Sequence, residues 1–121
     1  MKRACAFFIT TLLLAGCWDR NVGRSFYPSG KVRTEAHVKN GMLEGPAIMF
    51  YENGSKMSEA IYRSGILHGK ATSYYENGSK QAEAEYKDGI LNGESTKWTP
   101  DGQVISQATF ENGVLQKILT D

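Results

Sequence analysis

The sequence predicts an all-β fold: an antiparallel ribbon of β-hairpins assembled from four 24-residue repeats. Three observations predict it. Aligned on itself, the chain has one dominant period of 24 residues, the signature of a repeat array. Eleven of its 13 glycines fall into three registered series: Gly30, Gly54, Gly78 and Gly102; Gly41, Gly65, Gly89 and Gly113; and Gly45, Gly69 and Gly93. The apolar residues keep the same register, with Leu43, Leu67, Leu91 and Leu115 identical, as are Ala36, Ala60, Ala84 and Ala108. A glycine or turn pair every dozen residues leaves no room for three helical turns, since each interior glycine costs a helix about 1 kcal/mol.

The chain divides into three stretches. Lys2 and Arg3 precede an apolar run from Ala4 to Ala15, closed by Leu14-Ala15-Gly16-Cys17. A positive start, a short apolar run and small residues before a cysteine are the parts of a signal peptide. The run is shorter than the ~20 residues that span a bilayer, which argues against a retained membrane helix. The motif at 14–17 resembles the bacterial lipobox, and that resemblance implies cleavage before Cys17, diacylglycerol on its sulfur and an acylated new N-terminus. Two or three acyl chains anchor stably, at ~0.8 kcal/mol per buried CH₂. Residues 1–16 are thus read as a lipoprotein signal peptide, 17–25 as a lipidated tether and 26–121 as the repeat domain.

Loss of Lys2 and Arg3 with the signal leaves twelve basic residues against 13 acidic ones, a net charge of −1. No basic excess remains to attract nucleic acid. Cys5 leaves with the signal and Cys17 carries lipid, so the mature chain has no disulfide.

Each repeat reads as two strands and two turns. Ser29-Gly30, Asn53-Gly54, Asn77-Gly78 and Asp101-Gly102 are read as the tight hairpin turns that need positive φ. Asn40-Gly41, Ser64-Gly65, Asp88-Gly89 and Asn112-Gly113 punctuate the other end, which gives a meander of about eight strands of five to eight residues. Thr34, Ala36 and Val38, like Ser58, Ala60 and Tyr62, lie on one face, while Arg33, Glu35 and His37 lie on the other. One face is expected to pack and one to be wet. The third glycine series, inside a strand, predicts a bulge or a close approach by a neighbouring backbone or ring, with the recurring aromatics covering the glycines. Lys117 breaks that series in the fourth unit.

The unit Y-x-N-G-x-x-x-x-E-A-x-Y-x-x-G-x-L-x-G-x-A resembles the MORN-repeat variant of bacterial proteins, grouped with the YwqK-type antitoxin family. The resemblance covers about 95 residues and implies a β-hairpin solenoid used as a binding scaffold.

Catalytic chemistry is not indicated. His37 and His68 sit at non-equivalent repeat positions without carboxylate or cysteine partners at metal spacing, so no metal or cofactor is expected. Glu35, Glu59 and Glu83, followed by Gln107, form a row about 10 Å apart, better read as a solvated polar row than as a calcium site. Ser55 and Ser79 lie in turns without a histidine partner, so no nucleophilic arrangement is indicated. The aromatic pairs Phe26-Tyr27, Phe50-Tyr51 and Tyr74-Tyr75 carry the functional reading, because adjacent strand residues point to opposite faces. With Phe50 and Tyr74 in the core, Tyr51 and Tyr75 become the candidate binding face.

The expected function is a non-enzymatic, membrane-tethered interaction scaffold engaging another envelope protein, with no nucleic acid and no small-molecule substrate. The alternatives are an antitoxin or immunity-like protein, implied by the family resemblance, and a small envelope enzyme, for which no convergent polar site is visible. The expected location is the bacterial envelope, with the outer membrane favoured over the inner.

Overall fold

The computed structural model describes residues 21–120. Cys17, with the stretch read as a signal peptide and most of the stretch read as a tether, lies outside them. The described residues form one nine-stranded antiparallel sheet in simple chain order. Its strands are β1 (Val22–Phe26), β2 (Val32–Lys39), β3 (Met42–Phe50), β4 (Lys56–Arg63), β5 (Ile66–Tyr74), β6 (Lys80–Lys87), β7 (Ile90–Trp98), β8 (Val104–Glu111) and β9 (Val114–Ile118). No helix interrupts residues 21–120. The meander therefore has one strand more than the sequence reading gives it, and β1, all but Phe26, falls within the stretch assigned to the tether. Val22-Gly23-Arg24-Ser25-Phe26 keeps the register of the later strands but little of their apolar signature, which is why sequence reasoning missed it.

The two turn series have different geometries, and sequence reasoning reversed them. At Asn40-Gly41, Ser64-Gly65, Asp88-Gly89 and Asn112-Gly113 both residues have positive φ, near 50° and 80°, as in Ser64 at 50° and Gly65 at 79°. Lys39 pairs with Met42 and Arg63 with Ile66 across them, so these are two-residue hairpins of type I′. In the other series only the glycine is left-handed, with Gly54 at φ 92°. Gly54 N–H donates to Tyr51 O at 2.9 Å and Tyr51 N–H to Ser55 O at 2.8 Å, the pattern of a three-residue loop closing on a glycine bulge. Asn53 keeps negative φ and instead uses its Oδ1 to accept from Ser55 N at 2.9 Å. The dipeptide Asn-Gly satisfies both geometries; the number of residues between the paired strands selects one.

The sheet is a single layer, and this departs most from expectation. Among the described residues no apolar side chain is fully buried; the most buried are Thr72 and Thr96, at 9% and 5% exposure. Phe50, Tyr51, Tyr74 and Tyr75 are all half-buried, so neither aromatic row is a core row. With no second sheet or helix among the described residues, a ring on either face is shielded there only by neighbours in its own layer.

The bulges predicted at the third glycine series are present, with register breaks between Ala36 and Val38, Ala60 and Tyr62, and Ala84 and Tyr86. The side chains that a Cβ at Gly69 or Gly93 would meet first are not the aromatics. A Cβ at Gly69 would lie 3.3 Å from Ile61 Cβ, and one at Gly93 would lie 2.9 Å from Glu85 Cβ. Tyr62, Tyr86 and Phe110 are instead the cross-strand partners of Gly45, Gly69 and Gly93 on the following strand. Positive φ at the glycine turns its missing side chain away from that partner.

This separates two kinds of glycine. A Cβ at Gly54 would meet no atom within 4 Å, whereas Gly93 combines φ 129° with the Glu85 contact. Gly54→Ala should therefore cost about 1 kcal/mol from backbone strain alone, and Gly93→Ala roughly 2 kcal/mol or more. Thermal melts of the two variants compared with the parent check the order.

Candidate functional site

Register lines up equivalent residues across the whole ribbon. One line runs Gly23, Ala36, Ala47, Ala60, Ala71, Ala84, Ser95, Ala108, each the cross-strand partner of the next. Cross-strand partners share a face, so this is a strip of small side chains crossing eight strands. Beside it on the same face run the pairs Val38–Leu43, Tyr62–Leu67, Tyr86–Leu91 and Phe110–Leu115. The strip and its aromatic border form an open depression of about 310 Å³, lined in part by Ser58, Ala60, Ala71, Ser73, Ala84 and Tyr86.

The opposite face carries the glutamate row, which is ion-paired, together with Ile48, Phe50, Tyr74 and Trp98. Glu35 accepts from Arg24 at 2.7 Å, Glu59 from Lys56 at 2.7 Å, and Glu83 from Lys80 at 2.7 Å, with Lys70 a further 3.3 Å away. The glutamate row is thus a series of separate ion pairs, each completed within its own repeat or by the adjoining strand. Burial, the largest single influence on Glu83, pushes its carboxyl up, but hydrogen bonds from Lys80, Lys70 and Thr72 together outweigh it and hold the group below its ordinary value. The Glu83 hydrogen bond raises Lys80, and that of Glu59 raises Lys56. Lys80 Nζ also stands 5.7 Å from the centre of the Trp98 ring.

The tyrosines of the aromatic pairs have a defined task. Tyr27 Oη donates to Phe50 O at 2.6 Å, Tyr51 Oη to Tyr74 O at 2.7 Å, and Tyr75 Oη to Trp98 O at 2.8 Å. Each phenol reaches the carbonyl 23 residues ahead, tying one glycine-bulge turn to the next. Tyr51 and Tyr75, the candidate binding residues, are therefore half-buried rungs of a ladder, with hydroxyls committed to the backbone and ring surfaces part-exposed. Sequence reasoning found the residues but not the ladder, because period and spacing do not show where a phenol hydroxyl ends. At the fourth position Thr99 serves its own turn, bonded to Asp101 and accepting from Gln103 N at 3.0 Å.

The other margin has its own ladder. Gly65 N–H donates to Leu43 O, Gly89 N–H to Leu67 O and Gly113 N–H to Leu91 O, each at 2.8 Å. Beside these, Ser64 N–H donates to Glu44 Oε1 at 3.3 Å, Asp88 N–H to His68 Nδ1 at 3.3 Å and Asn112 N–H to Asn92 Oδ1 at 3.0 Å. His68 thus occupies a position held by Glu44 and Asn92, where any acceptor of suitable reach caps the next turn. Ser55 and Ser79 hydroxyls lie 2.7 Å from Asn53 Oδ1 and Asn77 Oδ1, so they too are turn residues. No group of three His, Cys, Asp or Glu side chains suited to a metal ion occurs among the described residues.

Comparison with known proteins agrees with this repeat. The profile of the MORN repeat variant matches residues 22–40, 43–64, 67–88 and 91–112. The chain belongs to that family. The MORN matches include β1 and span the laced units. No curated protein matches the sequence. Among solved structures, a point mutant of S. aureus TarM in complex with fondaparinux, alpha-GlcNAc-glycerol and UDP is similar at 12% identity and a TM-score of 0.53. A second TarM crystal structure is similar at 12% identity and a TM-score of 0.51. Each similarity covers 84% of this chain and 20% of TarM, so the chain spans about a fifth of that protein's length, and the likeness is one of fold.

Two outcomes follow from the ladder and the ion pairs. Tyr75→Phe should lower stability by about 1 kcal/mol, the net value of one hydrogen bond, and Tyr75→Ala by more because the half-buried ring is lost as well. Because the folded state lowers the Glu83 pKa, its contribution is full above the ordinary carboxylate range and is lost as pH falls through the lowered value. The pair is partly exposed, which limits its worth to under about 1 kcal/mol. Glu83→Gln should flatten that acid limb of the stability profile without moving the rest, as read by melting across pH.

Proposed function

We propose that this protein is a lipid-anchored scaffold of the bacterial cell envelope that holds a second envelope protein against its sheet. The observation carrying the proposal is that the described ribbon buries no apolar side chain completely, although aromatic and leucine rows run its whole length. Uncovered rings held on a laced platform lose little conformational entropy on binding, and such residues dominate interface energetics. Tyr51 and Tyr75 form a fixed margin of this surface, and the strip bordered by Tyr62, Tyr86 and Phe110 gives a partner a flat bed. The anchor reading rests on Lys2, Arg3, the apolar run and the Leu14-Ala15-Gly16-Cys17 motif.

Cys17→Ser should leave a precursor, or a form released from membranes, seen as a changed mass and a shift out of the detergent phase. Unchanged mass and partitioning would remove the anchor from the proposal. For the binding surface, Tyr51→Phe and Tyr75→Phe keep the rings while cutting the ladder, whereas the Ala variants lose both. Envelope proteins captured by the parent should be retained by the Phe variants and weakened by ~2 kcal/mol in the Ala variants. Equal capture by all four would exclude this margin from the contact.

A further inference from the structure

The two edges of the sheet are halves of the same strand. The interior strands β3, β5 and β7 each have nine residues, whereas β1 and β9 have five. In the 24-residue register, β1 corresponds to the last five residues of β3, since Phe26 is equivalent to Phe50. β9 corresponds to the first five, since Val114 is equivalent to Met42. The two edges are therefore stepped in complementary ways: β8 extends past β9 at Val104–Ser106, and β2 extends past β1 at Lys39, with Val38 N–H still donating to Asn21 O at 2.6 Å.

We propose that a second copy of this chain docks head to tail on this step, with β9 of one copy and β1 of the next lying end to end as one composite strand. Both run antiparallel to β8 and to β2, so the joint preserves the alternation of the sheet. The side chains at the step match. Interior equivalents of Phe26 lie beside the start of the preceding even-numbered strand, and the corresponding start on β8 is Val104-Ile105. Phe26, Val104 and Ile105 are 55%, 48% and 57% exposed in the single copy and would cover one another.

The turn ladder continues across the same joint. Gly65, Gly89 and Gly113 each donate to a leucine carbonyl one repeat behind, while Gly41 has no such strand behind it among the described residues. Leu115 O of the neighbouring copy stands in the equivalent place. Gln116 holds the position of Glu44, His68 and Asn92, and its Oε1 is suited to accept from Asn40 N–H as they do from Ser64, Asp88 and Asn112. The other margin contributes less, because Thr99 stands where a tyrosine would reach the Phe26 carbonyl. Val22 and Ile118 share one register position, so for the strands to abut Leu119 must give up its bond to Gln107 O, 2.7 Å in the single copy, and Asn21 O its bond from Val38 N–H, 2.6 Å, which the Lys117 carbonyl of the neighbouring copy would replace. The joint is thus weaker than those within the chain, and assembly should depend on concentration. Because the two surfaces differ, the contact is heterologous and propagates as an open array or a closed ring.

This inference needs neither the anchor nor a different partner protein. It is tested on the full chain, purified in detergent, carrying Ser25→Cys and Ser106→Cys. Interior equivalents of these residues are cross-strand partners, as Ser58 is of Ser73 and Ala82 of Lys97, and such pairs come within disulfide reach. Mild oxidation of the double variant should give a ladder of dimers, trimers and higher multiples. Each single variant alone should match the parent, whose own cysteines set the background, and a mixture of the two single variants should stop at dimers. Dimers from Ser106→Cys alone would show two-fold edge pairing and overturn the proposal, as would no product above background. Sedimentation of the unsubstituted protein gives a check independent of either variant: a single-copy mass throughout the micromolar range would also overturn it. Multiples of the chain's own mass cannot be mistaken for captured envelope proteins, so this result and the scaffold reading stand or fall separately.

Discussion

Everything in this structure depends on one constraint: among the described residues, a single antiparallel layer has no second layer to bury its faces against. Most small domains are held by apolar residues removed from water between two layers. Here no apolar side chain among the described residues is fully buried, so cohesion comes from neighbouring strands and from turn-to-turn ties. Turns on one margin are two strands apart, about 10 Å, too far for direct backbone contact between flat hairpins. One margin bridges that gap with a phenol, as from Tyr51 Oη to Tyr74 O. The other brings the backbone itself close, as from Gly65 N to Leu43 O.

Both solutions place demands on the sequence, and those demands are the repeat. The backbone route needs a turn tight enough for its second residue to face the strand behind, hence type I′ with two positive φ angles. Ser64 at φ 50° and Asp88 at φ 51° accept a conformation that few non-glycine residues adopt. Their N–H groups are then capped by Glu44 and His68, which fixes the strained residue in place. The phenol route needs a tyrosine at one turn position and leaves its neighbour Phe50, Tyr74 or Trp98 to supply the accepting carbonyl. The paired aromatics mark the ladder and its acceptor.

The sequence made the repeat, the strand count to within one and the small-residue face legible because these depend on period and alternation, which a linear pattern carries. It did not distinguish the two turn geometries, since Asn-Gly serves type I′ at 40–41 and the glycine-bulge loop at 53–54. Nor did it show that Phe50 and Tyr74 lack a core. Alternation says which residues share a face, but covering that face takes another layer, and its presence is a tertiary fact. The approach of Ile61 to Gly69 and of Glu85 to Gly93 was hidden for a related reason: a bulge displaces the register, so the residue met by the glycine is not its nominal partner.

A sheet with no core carries its stability in nearest-neighbour terms, and this governs what its faces are free to do. In a two-layer domain a change to an inward aromatic is felt through the whole core. In a laced ribbon each unit touches only its neighbours, so faces can vary from unit to unit while both ladders persist. The strip itself shows such freedom, reading Ala47, Ala60, Ala71, Ala84 and then Ser95, as does its border, with Val38, Tyr62, Tyr86 and Phe110 in equivalent places. The ladder positions are held more narrowly: Tyr27, Tyr51 and Tyr75 are identical, and Thr99 replaces them in the β7–β8 turn, ahead of which no further turn of this series lies among the described residues. Assembly and surface chemistry are in this way assigned to different residues. The turns and their ties set the platform, and the strand faces are left to determine what it meets.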